Sequence, residues 1–206
     1  MTDDPRAHWQ TVYQTRSPTE ASWYQAVPQR SLELIQGAGL LPEAAILDVG
    51  GGASTLVDHL LAAGFADLTV VDIAPAALDA ARARMGAAAS RVQWIAADIT
   101  GWQPVRRYGL WHDRAVFHFL VDPTLRARYV DVLRTALVPG GHVVIATFGP
   151  EGPTRCSGLD VRRYSADELS AVLGPSFHLV GSQVEEHITP AGGTQQFLYG
   201  WWQAEA

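Results

Sequence analysis

The feature that most restricts the fold is an alternation that begins at residue 45, where short apolar runs of strand length are separated by stretches with helical apolar spacing. Ala45–Val49 is apolar and ends at Gly50, and Ser54–Ala63 follows with Leu56, Val57, Leu60 and Leu61 at helical spacing before stopping at Gly64. The pattern repeats as Asp67–Val71 and then Pro75–Met85, where proline suits the first helical turn. Arg91–Ala96 and Tyr108–His112 read as the third and fourth strands. Pro123–Leu137 reads as a helix, closed by the turn Val138-Pro139-Gly140-Gly141 ahead of a strand at His142–Thr147. Strands connected through helices run parallel in one sheet. Ser165–Leu173 is a further helix, with Ser165 at the N-cap and Glu168 at the capping-box position. Phe177–Glu186 and Gln195–Gln203 leave no room for a helix between them, and Thr189-Pro190-Ala191-Gly192-Gly193 predicts a hairpin. The expected architecture is an α/β fold, with a seven-stranded sheet that is mostly parallel, a C-terminal antiparallel hairpin, and helices on both faces.

Length and composition bound the rest. With 206 residues and 48% hydrophobic content, the chain suits a single domain, 1–206, with its own core. Residues 1–40 precede the first strand, are rich in Trp and Tyr, and are expected to cover the mouth of a core formed by residues 41–206; Ser31–Ile35 reads as part of a helix. The start, MTDDPRAHWQ, lacks the basic and apolar regions of a secretory signal, and no apolar run approaches membrane-spanning length. A single cysteine, Cys156, excludes an internal disulfide framework, so a cytoplasmic setting is expected, with no membrane partner. All fifteen basic residues are arginine, which rules out a lysine Schiff base and a P-loop lysine. A net charge of −6 with scattered arginines gives no footprint for a phosphate backbone, so no nucleic-acid partner is expected. Monomer and homodimer are equally compatible with the sequence.

Chemistry gathers at the strand ends. In Asp48-Val49-Gly50-Gly51-Gly52-Ala53-Ser54, glycines after the first strand let the backbone turn sharply and approach a ligand in the crevice beyond the sheet. Asp72, twenty residues after Gly52, closes the second strand beside Ile73, where a carboxylate accepts hydrogen bonds from both ribose hydroxyls. Asp98 follows the third strand and faces an adenine amino group, with Ile99 alongside. A dinucleotide fingerprint shares the glycines and the second acid, but its third glycine falls at Thr55, and it has no need of an acid at Asp48. Acids around the loop suit a cationic sulfonium and an amino group better than a pyrophosphate, which points to S-adenosylmethionine, with S-adenosylhomocysteine as product. As capping residues alone, Asp48 and Asp72 would not require the whole spaced set.

From Ala45 to Phe148, about half the chain, the sequence resembles the class I S-adenosylmethionine-dependent methyltransferases (EC 2.1.1), through ILDVGGGAS, the acids in VVDIAP and IAADIT, and the PGG turn. The resemblance implies a Rossmann-like fold and methyl transfer. Such transfer relies on alignment and a dry site, and alignment alone supplies about 7–11 kcal/mol. Candidates for assisting a protonated nucleophile lie in Leu110-Trp111-His112-Asp113-Arg114-Ala115-Val116-Phe117-His118-Phe119. Asp113 and Arg114 orient each other in one reading, with Arg114 presented to an anionic substrate or developing thiolate, and His112 or His118 as base. In the other reading, Asp113 caps a short helix at Ala115 and His118 packs against Phe117 and Phe119. The segment resembles the strand-four region of thiopurine and related thiol methyltransferases, although His112 separates Trp111 from Asp113-Arg114. The N-terminal His8-Trp9 and Ser22-Trp23-Tyr24-Gln25 resemble the aromatic cover of that group, which sets Trp23 and Tyr24 near the donor. Arg155 and Cys156 lie on a long loop after strand five that is expected to face substrate. The expected acceptor is a small molecule with a heteroatom nucleophile, a thiol or related soft atom being favoured; protein side chains and a nicotinamide-dependent reaction are the alternatives. The histidines show no metal spacing, so no metal is expected.

Overall fold

The computed structural model describes residues 4–206. Helix α1 (Pro5–Thr15) opens with Asp4 as its N-cap, whose side chain accepts from Arg6 N, and α2 (Gln29–Gly37) follows. The alternating units are β1 (Ala45–Val49), α3 (Leu56–Ala62), β2 (Asp67–Asp72), α4 (Pro75–Met85), β3 (Val92–Ala96), β4 (Tyr108–Arg114), α5 (Pro123–Ala136) and β5 (Leu137–Phe148). A small ladder of β6 (Arg155–Cys156) and β7 (Leu159–Asp160) precedes α6 (Ala166–Leu173), β8 (Phe177–Ile188) and β9 (Thr194–Ala204). The seven-stranded sheet has the order β3-β2-β1-β4-β5-β9-β8. Strands β3 to β5 in that order pair in parallel, while β9 runs antiparallel to both β5 and β8.

Both faces of the central strands are buried, which explains their near-continuous apolar runs. Ile46, Leu68, Val70 and Leu110 pack under Leu32 and Ile35 of α2, Leu56, Val57 and Leu60 of α3, and Leu78 of α4. On the opposite face, Leu47, Val49, Trp111 and Ile145 meet Tyr129 and Leu133 of α5 and Leu169 and Leu173 of α6. The chain runs outward from β1 to β3, then returns to lay β4 on the other side of β1. A crevice therefore opens at the carboxyl ends of β1 and β4, the switch point at which open α/β sheets hold their ligands.

Two local expectations are corrected. Val138-Pro139-Gly140-Gly141 is not a turn ahead of the strand but a bulge within β5. Tyr108 pairs with Leu137 and the next pair is Leu110 with His142. Gly140, at φ +71°, donates its N–H to Glu205 O, so the tail of the chain takes up the extra loop. The second correction is at β4, which continues past His112 to Arg114, because His112, Asp113 and Arg114 remain paired with Val144, Ile145 and Ala146. The capping box of α6 is present in both directions between Ser165 and Glu168.

Candidate active site

Beyond the ends of β1 and β4 lies a cavity of about 410 Å³. One end is built by the glycine loop. Gly50 has φ +64°, and a Cβ there would sit 1.9 Å from Val116 Cγ2; one at Gly51 would sit 2.3 Å from Asp48 Oδ2. Only glycine keeps this wall open. Gly52 stands behind it, where a Cβ would come within 2.6 Å of Asp72 Oδ2. Gly50, Gly51, Asp48, Asp72, Ile73 and Asp98 line the cavity, as does Ile99, whereas Gly52 does not.

The acids there differ in their state. Asp72 Oδ1 accepts from Ala74 N at 2.8 Å. Burial pushes its carboxyl up to about 7, against the lowering effect of that backbone bond and with Asp48 adding to the rise. Asp98 is exposed, and its Oδ1 accepts from the Thr100 amide and hydroxyl, each at 2.9 Å. Asp48 is 4% exposed; Oδ1 pairs with His112 Nδ1 at 2.7 Å, while Oδ2 is buried without a hydrogen-bond partner. This end fits a nucleoside carrying a cationic chain. Asp72 has an acceptor facing the cavity with no cation beside it, Asp48 has a carboxylate oxygen lacking a donor, and the glycines admit close approach.

At the other end the β4 residues separate by face. Arg114 lines the cavity; Nε donates to the Tyr199 hydroxyl at 2.8 Å and Nη1 to Trp23 O at 2.7 Å, with the guanidinium 4.4 Å from the Phe197 ring centre. Asp113 points away into the core. Its Oδ1 accepts from Val116 N and Phe117 N, capping the short helical turn Phe117–Phe119, and its Oδ2 accepts from the Tyr129 hydroxyl at 2.6 Å. It does not meet Arg114 and does not line the cavity, so the expected Asp113–Arg114 pair does not form. Burial raises its carboxyl to about 6. His118 is also fully buried and off the cavity wall. It packs on Phe119 and Phe148, accepts from Phe148 N through Nδ1, and is held near 3 by burial, with Arg114 adding to the fall. As a base it is out of reach. Arg155 turns outward to Asp160, whereas Cys156 lines the cavity, its thiol pushed up by burial.

The roof comes from the N-terminal segment. Trp9 stands edge-on to Trp23 and to Phe119, with ring centres 5.7 and 5.0 Å apart, and Tyr24 joins Trp23 on the wall. Tyr13, one turn beyond Trp9, also lines the cavity; burial and nearby Asp72 raise its phenol. Gln10 Oε1 accepts from Ala76 N, capping α4 from outside. Sequence reasoning missed Tyr13 and Gln10, although the four-residue spacing of Trp9 and Tyr13 marks a shared helix face. Ser31 was missed as a polar partner, and nothing local signals its role.

Residues 46–141 match a family model described as a methyltransferase domain. The nodulation protein S of Rhizobium tropici is 32% identical over 125 residues, covering 61% of this chain and 49% of that protein. The chain thus spans about half the length of the curated relative it matches. A solved structure described as "Conversion of a Disulfide Bond into a Thioacetal Group during Echinomycin Biosynthesis" superposes with a TM-score of 0.76 at 21% identity, covering 97% of this chain and 93% of that one. The 1,6-didemethyltoxoflavin-N1-methyltransferase of Burkholderia thailandensis, with 1,6-didemethyltoxoflavin and S-adenosylhomocysteine bound, gives 0.72 at 21% identity over 98% of this chain and 87% of that one. Sheet order places the chain in the Rossmann-like fold that these structures share. The matched stretch, residues 46–141, carries the glycine loop and the strand-end acids that line the cavity. Among the described residues no helix is long and apolar enough to cross a membrane, and no group of three or more His, Cys, Asp or Glu is placed to hold a metal ion.

Proposed function

We propose that the protein moves the methyl group of S-adenosylmethionine to a heteroatom of a small molecule, a thiol or related soft atom being favoured, in the cytoplasm. The observation that carries this reading is one continuous cavity. It runs from Asp72 and Asp98 to Arg114 and Cys156 under the roof of Trp9 and Trp23. The donor supplies an already activated methyl on its sulfonium. Within this reading, Asp72 and Asp98 hold the nucleoside, and Asp48, Gly50 and Gly51 receive the amino-acid end. The aromatic roof excludes water and orients the acceptor, so residues 1–40 serve as cover to the core at 41–206. Arg114 keeps a fixed positive charge on the wall, which favours an acceptor that is anionic or that ionises as it reacts. The similar structure from echinomycin biosynthesis concerns conversion of a disulfide bond into a thioacetal group, a reaction at sulfur, which supports a soft acceptor atom. A folded protein side chain would call for an open groove, and the covered cavity weighs against it. A nicotinamide reaction of the Tyr-x-x-x-Lys type lacks its lysine.

Calorimetry checks the donor half. S-adenosylhomocysteine binds the wild type, Asp72→Ala weakens it at least about tenfold, and NAD does not bind; NAD in place of S-adenosylhomocysteine overturns the assignment. A labelled-methyl screen over thiols, phenols, amines and cell extract checks the acceptor half. Labelled amines with silent thiols remove the soft-atom preference. A labelled protein band with no labelled small molecule removes the small-molecule reading.

A further inference from the structure

Behind the glycine loop lies a polar network that methyl transfer itself leaves unexplained. His112 is 3% exposed and both ring nitrogens are engaged, Nδ1 at 2.7 Å from Asp48 Oδ1 and Nε2 at 2.9 Å from Ser31 Oγ. Ser31, on α2, is fully buried. The Asp48 end of this chain sets the direction of its protons, because a carboxylate only accepts. His112 donates Nδ1–H to Asp48 Oδ1 and accepts from the Ser31 hydroxyl at Nε2.

This arrangement commits one oxygen of Asp48 and leaves the other. Oδ2 lies against Gly51 with no partner, in a residue that forms part of the cavity wall. A buried carboxylate oxygen without a donor is unfavourable, and its natural complement is a cationic donor arriving from the cavity. We propose that Ser31 and His112 are positioning residues that hold Asp48 so that Oδ2 receives the α-ammonium group of an amino-acid-bearing ligand. The proposal rests on the reading of the cavity as the S-adenosylmethionine site. It assigns three elements, β1, β4 and α2, to recognition of the amino-acid end and of no other part of the donor.

Calorimetry with S-adenosylhomocysteine and 5′-methylthioadenosine separates that role from mere packing. The second ligand keeps the adenosine and the sulfur but has no amino-acid group. Ser31→Ala and His112→Gln are each expected to weaken S-adenosylhomocysteine about tenfold and to leave 5′-methylthioadenosine within about twofold. The wild type supplies a second measurement that needs no variant to fold. In proton NMR the hydrogen-bonded His112 Nδ1–H should shift when S-adenosylhomocysteine is added and stay in place with 5′-methylthioadenosine. Equal loss of both ligands in the variants, or a His112 proton that responds alike to both, overturns the proposal. Wild-type protein that binds neither ligand overturns the donor-site reading and this proposal with it. Binding of both by the wild type, with S-adenosylhomocysteine unaffected in the variants, overturns this proposal alone.

Discussion

Asp72 shows how the site sets stability against binding. Its carboxyl is raised from the ordinary value to about 7, mainly by burial, so the folded state holds a proton that the unfolded chain has released. Between about pH 4 and pH 7 the folded protein binds more protons, and stability falls as pH rises through that window. Ionised Asp72 above pH 7 therefore costs the ligand-free fold on the order of a few kcal/mol. Asp72→Asn keeps an oxygen for Ala74 N and removes the charge. Thermal melts should show Asp72→Asn several degrees more stable than the wild type at pH 8, with the difference gone near pH 4. S-adenosylhomocysteine should raise the wild-type melting point at pH 8 and barely move that of the variant. A variant no more stable than the wild type at pH 8 would mean that the cavity already solvates the charge.

The elements that carry the site differ in how they could be read. The strand-end residues Asp48, Gly50, Asp72 and Asp98 were legible because each follows an apolar run of strand length, and the sheet carries every such end to one rim. The end of β4 was not. Asp113-Arg114 is polar enough to read as loop, yet it continues the strand, and Asp113 is fully buried with His112 before it nearly so. The partners of His112, Asp113 and Arg114, namely Ser31, Tyr129 and Tyr199, come from α2, α5 and β9, and pairings at such distance leave no local pattern. The choice between a catalytic and a capping Asp113 rested on Tyr129, which links Asp113 Oδ2 to Trp111 Nε1. Tyr129→Phe leaves a buried carboxylate oxygen and a buried indole N–H unpaired, at a cost of about 1–3 kcal/mol. Urea unfolding should show a lower midpoint with an unchanged slope, and S-adenosylhomocysteine affinity should hold. An unchanged midpoint would contradict the structural role given to Asp113.

At the scale of the whole molecule, the sheet and its cover are held by different forces. The sheet is sealed on both faces by large apolar clusters, whereas α1 contains no fully buried residue. Beyond the aromatic contacts of Trp9 and Trp23, the cover is tied down by separate polar bonds: Gln10 to Ala76 N, Arg114 to Trp23 O, His187 to Ser22 O and Thr55 to Gln25 O. Each such bond contributes about 1 kcal/mol net, so the segment is expected to open more often than the core unfolds. A roof of this kind reconciles a covered cavity with the passage of ligands through it. Hydrogen exchange tests the point directly. Amides of α1 should exchange orders of magnitude faster than those of β1 and β4 in the free protein. Tyr13 and Asp72 both line the cavity, so a ligand held at the proposed nucleoside end would touch both and should slow α1 far more than it slows the sheet. Uniform protection of α1 and β1 without ligand would make the cover part of the cooperative core. Entry would then require a different opening, and Arg114 and Trp23 would act as fixed walls rather than as the latch of a moving one.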